Sequence, residues 1–308
     1  MSRLREAAAD YLAVRRSLGF KFSGYDAMLG DFLDHLERSS ETTVTVQAAL
    51  AWATAPVGCS CSYWSSRLSA VRGFARYLQG IDPSAEVPPV DLLAGRRERR
   101  DPYLYSPSDI ARLVAAAASL RPALRGTTYE TLFGLLSCSG MRVGEAIALD
   151  RENVDLGAGV VEINDAKFRK HRELPLHPTA VAALRRYAEV RDQLCPRPKV
   201  PSFFVSMRGT RLLYVCINEV FRMLVADLKI TTPPGAVPPR IHGLRHRFAT
   251  ATLEDTHRSG ADPEGMLPVL SAYLGHGDPA WTYVYLDASP ELLHLAAERL
   301  ERLEGASR

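Results

Sequence analysis

The sequence predicts a mainly α-helical protein with one small antiparallel β-sheet, and three observations support this fold class. The first ninety residues carry apolar side chains at helical spacing and almost no strand pattern. Two short strand-like segments lie near the middle of the 308-residue chain, and helical patterns then continue to the C-terminus. We therefore expect an N-terminal helical bundle, a short linker and a larger α+β domain.

The first domain, residues 1–95, is predicted to be a bundle of four short helices. The helical patterns cover Leu4–Leu18, Tyr25–Leu36, Val46–Ala53 and Tyr63–Leu78. Gly19 and Gly80 follow two of these helices, in the position where glycine commonly ends a helix. On the last helix Arg72 and Arg76 share a face, because side chains four positions apart are neighbours. This face is a candidate DNA-binding surface.

The linker, residues 96–102, is basic and flanked by prolines, which disfavour helix. Its four arginines are Arg96, Arg97, Arg99 and Arg100. Two interpretations remain open. The segment is either a solvated linker or a strap on DNA, where arginines would release counterions condensed on the phosphates.

The second domain, residues 103–308, opens with a strong helix-start signal. Ser106 is a predicted N-cap, Pro107 occupies the first helical position and Asp109 lies three residues after the cap. The strand-like segments Val160–Ile163 and Glu173–Leu176 surround a polar turn. Helical patterns fill most of the rest of this domain. The first predicted helix ends near Ala118, and the next ones are Thr128–Cys138, a helix that starts near Met141, Pro178–Arg191, Tyr214–Leu228 and the helices from His242 onwards.

Composition excludes some classes of protein but indicates no function. No apolar run reaches the ~18 residues of a membrane span, and MSRLREAAAD does not resemble a secretory signal. The formal charge of +3 is too small to indicate a nucleic-acid partner. The five cysteines show no disulfide spacing, and Cys59 and Cys61 lack the second ligand pair of a zinc site. We expect a reduced, cytoplasmic protein without a metal or other cofactor.

The segment His242-Gly243-Leu244-Arg245 places an imidazole and a guanidinium on one helix face. Arginine offers a fork of donors that matches two phosphate oxygens, and histidine can donate or accept a proton. His246, four positions after His242, also permits a zinc pair. However, Gly243 replaces the glutamate base that a zinc hydrolase of the HExxH type needs. A zinc hydrolase is therefore the weakest alternative.

A histidine and a tyrosine nine positions apart form a second candidate pair. His276 follows Gly275 at the end of the pattern Met266–Tyr273, as in a tight turn between helices, and Tyr285 lies nine positions later. Because the pKa of a phenol is about 10, tyrosine becomes a useful nucleophile only beside a base and positive charge. Taken alone, a tyrosine such as Tyr285 is more often a core residue or an interface anchor.

Two further basic residues are candidates. Arg142 begins a predicted helix with Glu145 three positions later, which suits either a simple ion pair or an arginine held toward a ligand. Lys167 lies in the polar turn of the predicted hairpin, where it is either solvated or able to reach into a groove of DNA.

In order and spacing, these residues resemble the signature of the tyrosine recombinase, or phage integrase, family. The segments SGMRVGEAIAL, KFRKHRELPL, HGLRHRFAT and LGHGDPAWTYVYL look like the family's motifs. The resemblance covers the whole second domain, and RLSAVRGFARYL resembles the DNA-clamping domain more loosely. It implies two domains that form a C-shaped clamp on double-stranded DNA. PYLYSPSDI and DPAWTYVYLDASPELL look more like transposon-borne recombinases than chromosome-dimer resolvases.

The resemblance implies an integrase or transposase that cuts and rejoins DNA through a 3′-phosphotyrosine, without metal or ATP. Tyr285 would be the nucleophile, and Arg142 and Arg245 would bind the non-bridging phosphate oxygens. Lys167 would protonate the leaving 5′-oxygen.

The resemblance assigns supporting roles to the two histidines of the signature. His242 would help take the tyrosine proton, and His276 would donate a hydrogen bond to the phosphate. Such an enzyme would work in the nucleoid.

Strand exchange would also need four protomers, and the tail Pro290–Leu303 would either pack on a neighbouring protomer or cap its own domain. The alternatives are a type IB topoisomerase and a non-catalytic DNA-binding protein on the same fold.

Overall fold

The computed structural model describes residues 2–20, 24–93, 102–165, 170–232, 236–286 and 289–305. Contacts divide the chain near residue 99 into two compact units. The mainly helical fold with one small antiparallel sheet confirms the predicted fold class. Five predicted functional residues lie outside the described residues: Lys167, Arg96, Arg97, Arg99 and Arg100.

Unit 1 contains four helices that pack around one apolar core. The helices are α1 (Ser2–Ser17), α2 (Tyr25–Arg38), α3 (Val46–Thr54) and α4 (Cys61–Gln79). Two of them begin at hydroxyl N-caps, since Thr45 accepts from the Ala48 N–H and Ser60 from the Tyr63 N–H. Side chains from all four helices fill the core. The predicted helices are confirmed, with ends that differ by at most two residues.

The structure corrects one of the predicted DNA contacts, Arg72. This side chain is 8% exposed, and its Nε and Nη2 donate to the carbonyls of Pro88 and Pro89, each at 2.7 Å. Burial also lowers the pKa of Arg72. Because its guanidinium holds the segment after α4, we withdraw Arg72 from the predicted DNA-binding surface. Arg76, one turn later, is exposed and stays in the prediction.

Unit 2 consists of nine helices and the sheet within the described residues. The helices are α5 (Pro107–Ala118), α6 (Ala123–Ser139), α7 (Val143–Ala148), α8 (Pro178–Leu194), α9 (Tyr214–Asp227), α10 (His242–Arg258), α11 (Pro263–Leu274), α12 (Ala280–Tyr283) and α13 (Pro290–Gly305). The capping box of Ser106 and Asp109 at the start of α5 is confirmed. The main core lies among α5, α6, α8, α9 and the sheet, and a second cluster lies beneath α10, α11 and α13.

The sheet is antiparallel with the order β1-β2-β3: β1 is Val154–Asp155, β2 is Val160–Asp165 and β3 is Lys170–Pro175. The hairpin strands are longer than the sequence predicted, and the two-residue β1 is too short to show an alternating pattern. On β2, Val161 pairs with Leu174 and Ile163 pairs with Arg172. Arg172 therefore lies on the apolar face of the sheet.

Two general features accompany this fold. None of the helices in the described part of the chain is long and apolar enough to cross a membrane. All five cysteines are free thiols.

Candidate active site

Arg142 is set by a turn between α6 and α7 that requires glycine. Gly140 ends α6 with φ +59°, and an added Cβ would lie 2.3 Å from the ring of Phe248. Arg142 is the N-cap residue just before α7, whereas the sequence predicted that it lies within the first turn of this helix. The carboxylate of Glu145 accepts from the Arg142 N–H through Oε2 and from Nη1 through Oε1, both at 2.8 Å. Both ends of Arg142 are thus held by Glu145.

A second arginine, Arg172 of β3, binds the same carboxylate and was missed from the sequence. Its Nη1 and Nη2 donate to Oε1 and Oε2 of Glu145 at 3.1 and 2.8 Å. Burial pushes the pKa of Glu145 up, but hydrogen bonds from Arg172 and Arg142 outweigh it and hold this pKa below its ordinary value. The sequence did carry a signal, because Arg172 shares the buried face of β3 with Leu174. An arginine on an apolar face needs a buried partner.

Arg245 is the most enclosed of the expected phosphate ligands. It lies on the first turn of α10 and is 2% exposed. Its Nη1 donates to the Gly140 carbonyl, and its Nη2 to the Leu274 carbonyl, both at 2.8 Å. Burial lowers the pKa of Arg245, while the nearby Tyr285 acts in the opposite direction. The guanidinium therefore has one fixed orientation beside the tyrosine.

The C-terminal end of α11 gathers all three arginines. Its last carbonyls and Gly275 each accept one guanidinium hydrogen bond: Tyr273 from Arg172 Nε at 3.1 Å, Leu274 from Arg245 Nη2 at 2.8 Å, and Gly275 from Arg142 Nη2 at 3.2 Å. Helix C-termini leave carbonyls unpaired and carry partial negative charge, so cations are stabilised there. Gly275 has φ +67°, and an added Cβ would lie 2.4 Å from Nη1 of Arg172. This close approach admits glycine alone.

His276 follows in a Schellman turn, because its N–H bonds the Ser271 carbonyl and the Gly275 N–H bonds that of Ala272. The predicted tight turn after α11 is confirmed. The imidazole is half-buried, with Nε2 at 2.9 Å from Arg245 Nη2 and Nδ1 at 2.8 Å from Thr282 Oγ1. Burial, and then the charge of Arg245, lower the pKa of His276 to about 4. The ring is therefore neutral at physiological pH.

Tyr285 lies at the turn after α12, with its N–H bonded to the Thr282 carbonyl. The residue is 3% exposed, and its ring stacks on that of His276 with centroids 6.0 Å apart. The ring of His246 meets it edge-on at 5.2 Å. Tyr283, the other tyrosine of this segment, is 54% exposed. Of the two, only Tyr285 lies among basic side chains.

His242 begins α10 and faces the same site. The His242 side chain is exposed to solvent. Its pKa nevertheless lies below the ordinary value, because nearby protein atoms partly desolvate the ring and because Arg245 and Arg142 are positively charged. Its ring lies 4.9 Å from that of His246. Among the described residues, no group of three or more histidine, cysteine or acidic side chains could hold a metal ion.

Five of the six expected catalytic residues thus lie in one site of unit 2: Arg142, His242, Arg245, His276 and Tyr285. Lys167 is outside the described residues, in the connection between β2 and β3. The tail α13 packs on α10 of its own chain, where Ser289 donates to the buried Glu254 at 2.8 Å. The tail thus contacts its own domain in the single chain, and its packing on a neighbouring protomer stays a prediction.

Comparison with known proteins shows which family shares these features. The model of the phage integrase family matches residues 105–291, more than half of the chain. The integrase/recombinase named y4rB of Sinorhizobium fredii (strain NBRC 101917 / NGR234) is 42% identical, and the match covers 98% of each chain. Tyrosine recombinase XerC of Azotobacter vinelandii (strain DJ / ATCC BAA-1303) is 31% identical over 75% of this chain and 70% of its own.

Solved structures share the fold at lower identity. XerH site-specific recombinase, in a post-cleavage complex with a palindromic difH substrate, superposes with a TM-score of 0.68 and 17% identity. That match covers 90% of this chain and 79% of XerH. The Tn1549 transposon integrase, in complex with transposon right end DNA, gives a TM-score of 0.67 at 16% identity and covers 94% and 98% of the two chains.

Proposed function

The chain belongs to the phage integrase family of site-specific DNA recombinases, and we propose that it cuts and rejoins double-stranded DNA with Tyr285 as the nucleophile. The observation that carries the proposal is the position of the Tyr285 ring. It lies between two histidines and beside the guanidinium of Arg245. A phenol becomes a nucleophile in such a setting, where positive charge and a base favour loss of its proton.

The chemistry follows from the groups around the tyrosine. The Tyr285 oxygen attacks the phosphorus, and as this bond forms the bond from phosphorus to the 5′-oxygen breaks. His242 would help take the tyrosine proton, and its lowered pKa favours the neutral form that can accept it. Lys167 would give a proton to the leaving 5′-oxygen. The product is a 3′-phosphotyrosine and a free 5′-hydroxyl, and attack by the 5′-hydroxyl of a partner strand reverses the step.

The arginines supply the charge stabilisation in this proposal. A phosphate beside Tyr285 would meet the donors of Arg245 and Arg142 that the protein leaves available, since a guanidinium has five N–H groups. Because Glu145 and the end of α11 already fix both side chains, little reorganisation is needed as charge builds on the phosphorane. We therefore propose that the chemical step requires no metal. The phosphotyrosine keeps the energy of the phosphodiester, so rejoining requires no ATP.

DNA is the proposed substrate and partner. The two similar solved structures are complexes with DNA, and we extend this to the present chain. Exchange between two duplexes requires four active sites, so we propose a tetramer on DNA. In this tetramer, α13 would either detach from α10 of its own chain and pack on a neighbouring protomer, or stay on α10 and contact the neighbouring protomer as well. We also propose the predicted division into a DNA-clamping domain at residues 1–95, a linker at 96–102 and a catalytic domain at 103–308.

The direct test is covalent trapping on a nicked duplex. A binding site would first be selected from a random duplex pool, and a nick shortly 3′ of the cleaved phosphate would let the short fragment that carries the new 5′-hydroxyl diffuse away. We expect the wild-type chain to become attached to the 3′ end, and Tyr285→Phe to bind the duplex without attachment. Tyr283→Phe is the matched control and should keep activity, because Tyr283 points to solvent.

The same assay separates the alternatives. Attachment should survive excess EDTA, and a strict requirement for Mg²⁺ or Zn²⁺ in the chemical step would overturn the proposal. Failure of the wild-type chain to attach would indicate a DNA-binding protein without catalysis. Exchange of strands between two duplexes, rather than only relaxation of supercoils, distinguishes a recombinase from a type IB topoisomerase.

A further inference from the structure

One contact of the site, the hydroxyl of Thr282 on His276, has no role in the chemistry above. Thr282 lies on α12 and is 1% exposed. Its Oγ1 is 2.8 Å from Nδ1 of His276, and its carbonyl accepts the N–H of Tyr285 at 3.0 Å. One buried residue therefore touches both the imidazole and the backbone of the nucleophile.

The hydrogen-bond partner of Nε2, the other ring nitrogen of His276, favours one of the two possible positions of the ring proton. Its partner at 2.9 Å is Nη2 of Arg245, and a guanidinium can only donate hydrogen bonds. Nε2 must therefore accept, which leaves the proton of the neutral ring on Nδ1. That N–H then donates to the Thr282 hydroxyl. The contacts form one chain, from Thr282 through His276 to Arg245.

This arrangement differs from the role predicted for His276. A donor to the phosphate would need a proton on Nε2, but here Nε2 is an acceptor occupied by Arg245. Without DNA, the ring lies between the Thr282 hydroxyl, which accepts from Nδ1–H, and a cation that cannot accept, and the hydrogen bond of His276 to the phosphate stays a prediction. The neighbouring charged groups, Arg245, Arg142 and Arg172, are all positive and oppose a second proton on the ring.

We propose that Thr282 is a positioning residue that accepts from Nδ1–H of His276 and, together with Arg245, favours this tautomer, so that Nε2 holds Arg245 in place for the phosphate. The inference rests on the proposed function, because its effect on catalysis passes through Arg245. Thr282 would touch neither the phosphate nor the leaving group. The tautomer itself, however, is a property of the DNA-free protein and can be measured without cleavage.

The first experiment is ¹⁵N NMR on protein labelled at histidine. Two-bond correlations distinguish a protonated ring nitrogen from an unprotonated one, and His276→Gln identifies the His276 signals among the eight histidines. In the wild-type protein at pH 7.5, Nδ1 of His276 should be protonated and Nε2 unprotonated. Thr282→Val keeps the shape of the side chain but removes the acceptor, so a population with a proton on Nε2 should appear. Thr282→Ser should keep the wild-type tautomer.

The second experiment measures single-turnover cleavage on the nicked duplex at saturating protein, together with affinity for the intact duplex. Thr282→Val should slow cleavage by about 10- to 100-fold, the usual scale for an outer partner that orients a histidine, with little change in affinity. Thr282→Ser should restore most of the rate.

The matched control is Thr250→Val. Thr250 is fully buried in the same unit, and its hydroxyl has no hydrogen-bond partner among the described residues. A general loss of packing would slow both valine variants, whereas the proposal expects normal cleavage from Thr250→Val.

Several outcomes would overturn the proposal. Nε2 protonated in the wild-type protein would contradict the acceptor role, and an unchanged tautomer in Thr282→Val would show that Thr282 does not select it. Equal cleavage by the valine and serine variants would remove the link to catalysis. If the wild-type chain formed no covalent complex, the proposed function would fail instead, and the NMR result would still decide the tautomer.

Discussion

At the level of single residues, the two arginines expected to bind the phosphate differ in how the protein holds them. The side chain of Arg142 is 36% exposed and held by Glu145 and one carbonyl, whereas Arg245 is buried and held by two carbonyls and His276. Lysine keeps the charge at either position but lacks the planar fork. The two substitutions should therefore fail in different ways.

We predict that Arg142→Lys slows single-turnover cleavage by on the order of 10²–10³, the scale for one transition-state donor, with little change in DNA affinity or thermal stability. Arg245→Lys should cause at least this loss and also lower the melting temperature, because buried carbonyl partners lose their donors. Cleavage, binding against salt and thermal unfolding on both variants test this. A variant of Arg142 that lost only binding would place the chemistry elsewhere.

The lowered pKa of His276 makes stability depend on pH. The folded protein takes up a proton at His276 only near pH 4, whereas the ordinary value of 6.5 applies in the unfolded chain. Between these pH values the unfolded state binds more protons, so the free energy of unfolding falls as pH falls through this window. Urea unfolding at pH 7.5 and 5.0 should show a larger loss for the wild-type protein than for His276→Gln. Equal losses would mean that His276 is not held neutral.

At the level of elements, two of the arginines on α4, Arg72 and Arg76, are expected to have different roles. Arg72→Ala should lower the free energy of unfolding by roughly 2–3 kcal/mol, since it removes charged hydrogen bonds to buried carbonyls. Arg76→Ala should change stability by less than about 0.5 kcal/mol but weaken DNA binding for all sequences and reduce the salt slope by about one unit. Denaturant unfolding and binding against salt on both variants test this pair. Weaker binding by a fully stable Arg72→Ala would reverse our correction.

Elements with local signals could be predicted from the sequence. The capping box at Ser106 and the glycine turn before His276 each depend on residues a few positions apart, so their chemistry is visible along the chain. The spacing of four that linked Arg72 to Arg76 was also correct as helix geometry. It did not reveal that the segment at Pro88–Pro89 would cover one of the two side chains.

Contacts between distant segments could not be predicted in this way. Arg172 lies 27 positions from Glu145 and 101 from Tyr273, and only the fold brings these three together. The tautomer of His276 depends likewise on a donor 31 positions away. The sequence therefore indicated which residues meet at the site but not which of them hold the others.

At the level of the whole molecule, unit 1 is expected to grip DNA and unit 2 is expected to carry the chemistry. The end of α11 is the centre of the second unit, because three arginines from α7's start, β3 and α10 meet there. The proposed nucleophile, Tyr285, follows at the turn after the next short helix, α12. The central claim is that this particular tyrosine forms the covalent bond to DNA.

The measurement that tests this claim most directly is mass spectrometry of the trapped complex after digestion with nuclease and protease. We predict that the peptide containing Tyr283 and Tyr285 carries a 3′-phosphonucleotide, and that fragmentation places it on the Tyr285 oxygen. The adduct should be absent from Tyr285→Phe and unchanged in Tyr283→Phe. An adduct on Tyr283, on a residue outside this segment, or on a 5′-phosphate would contradict the account.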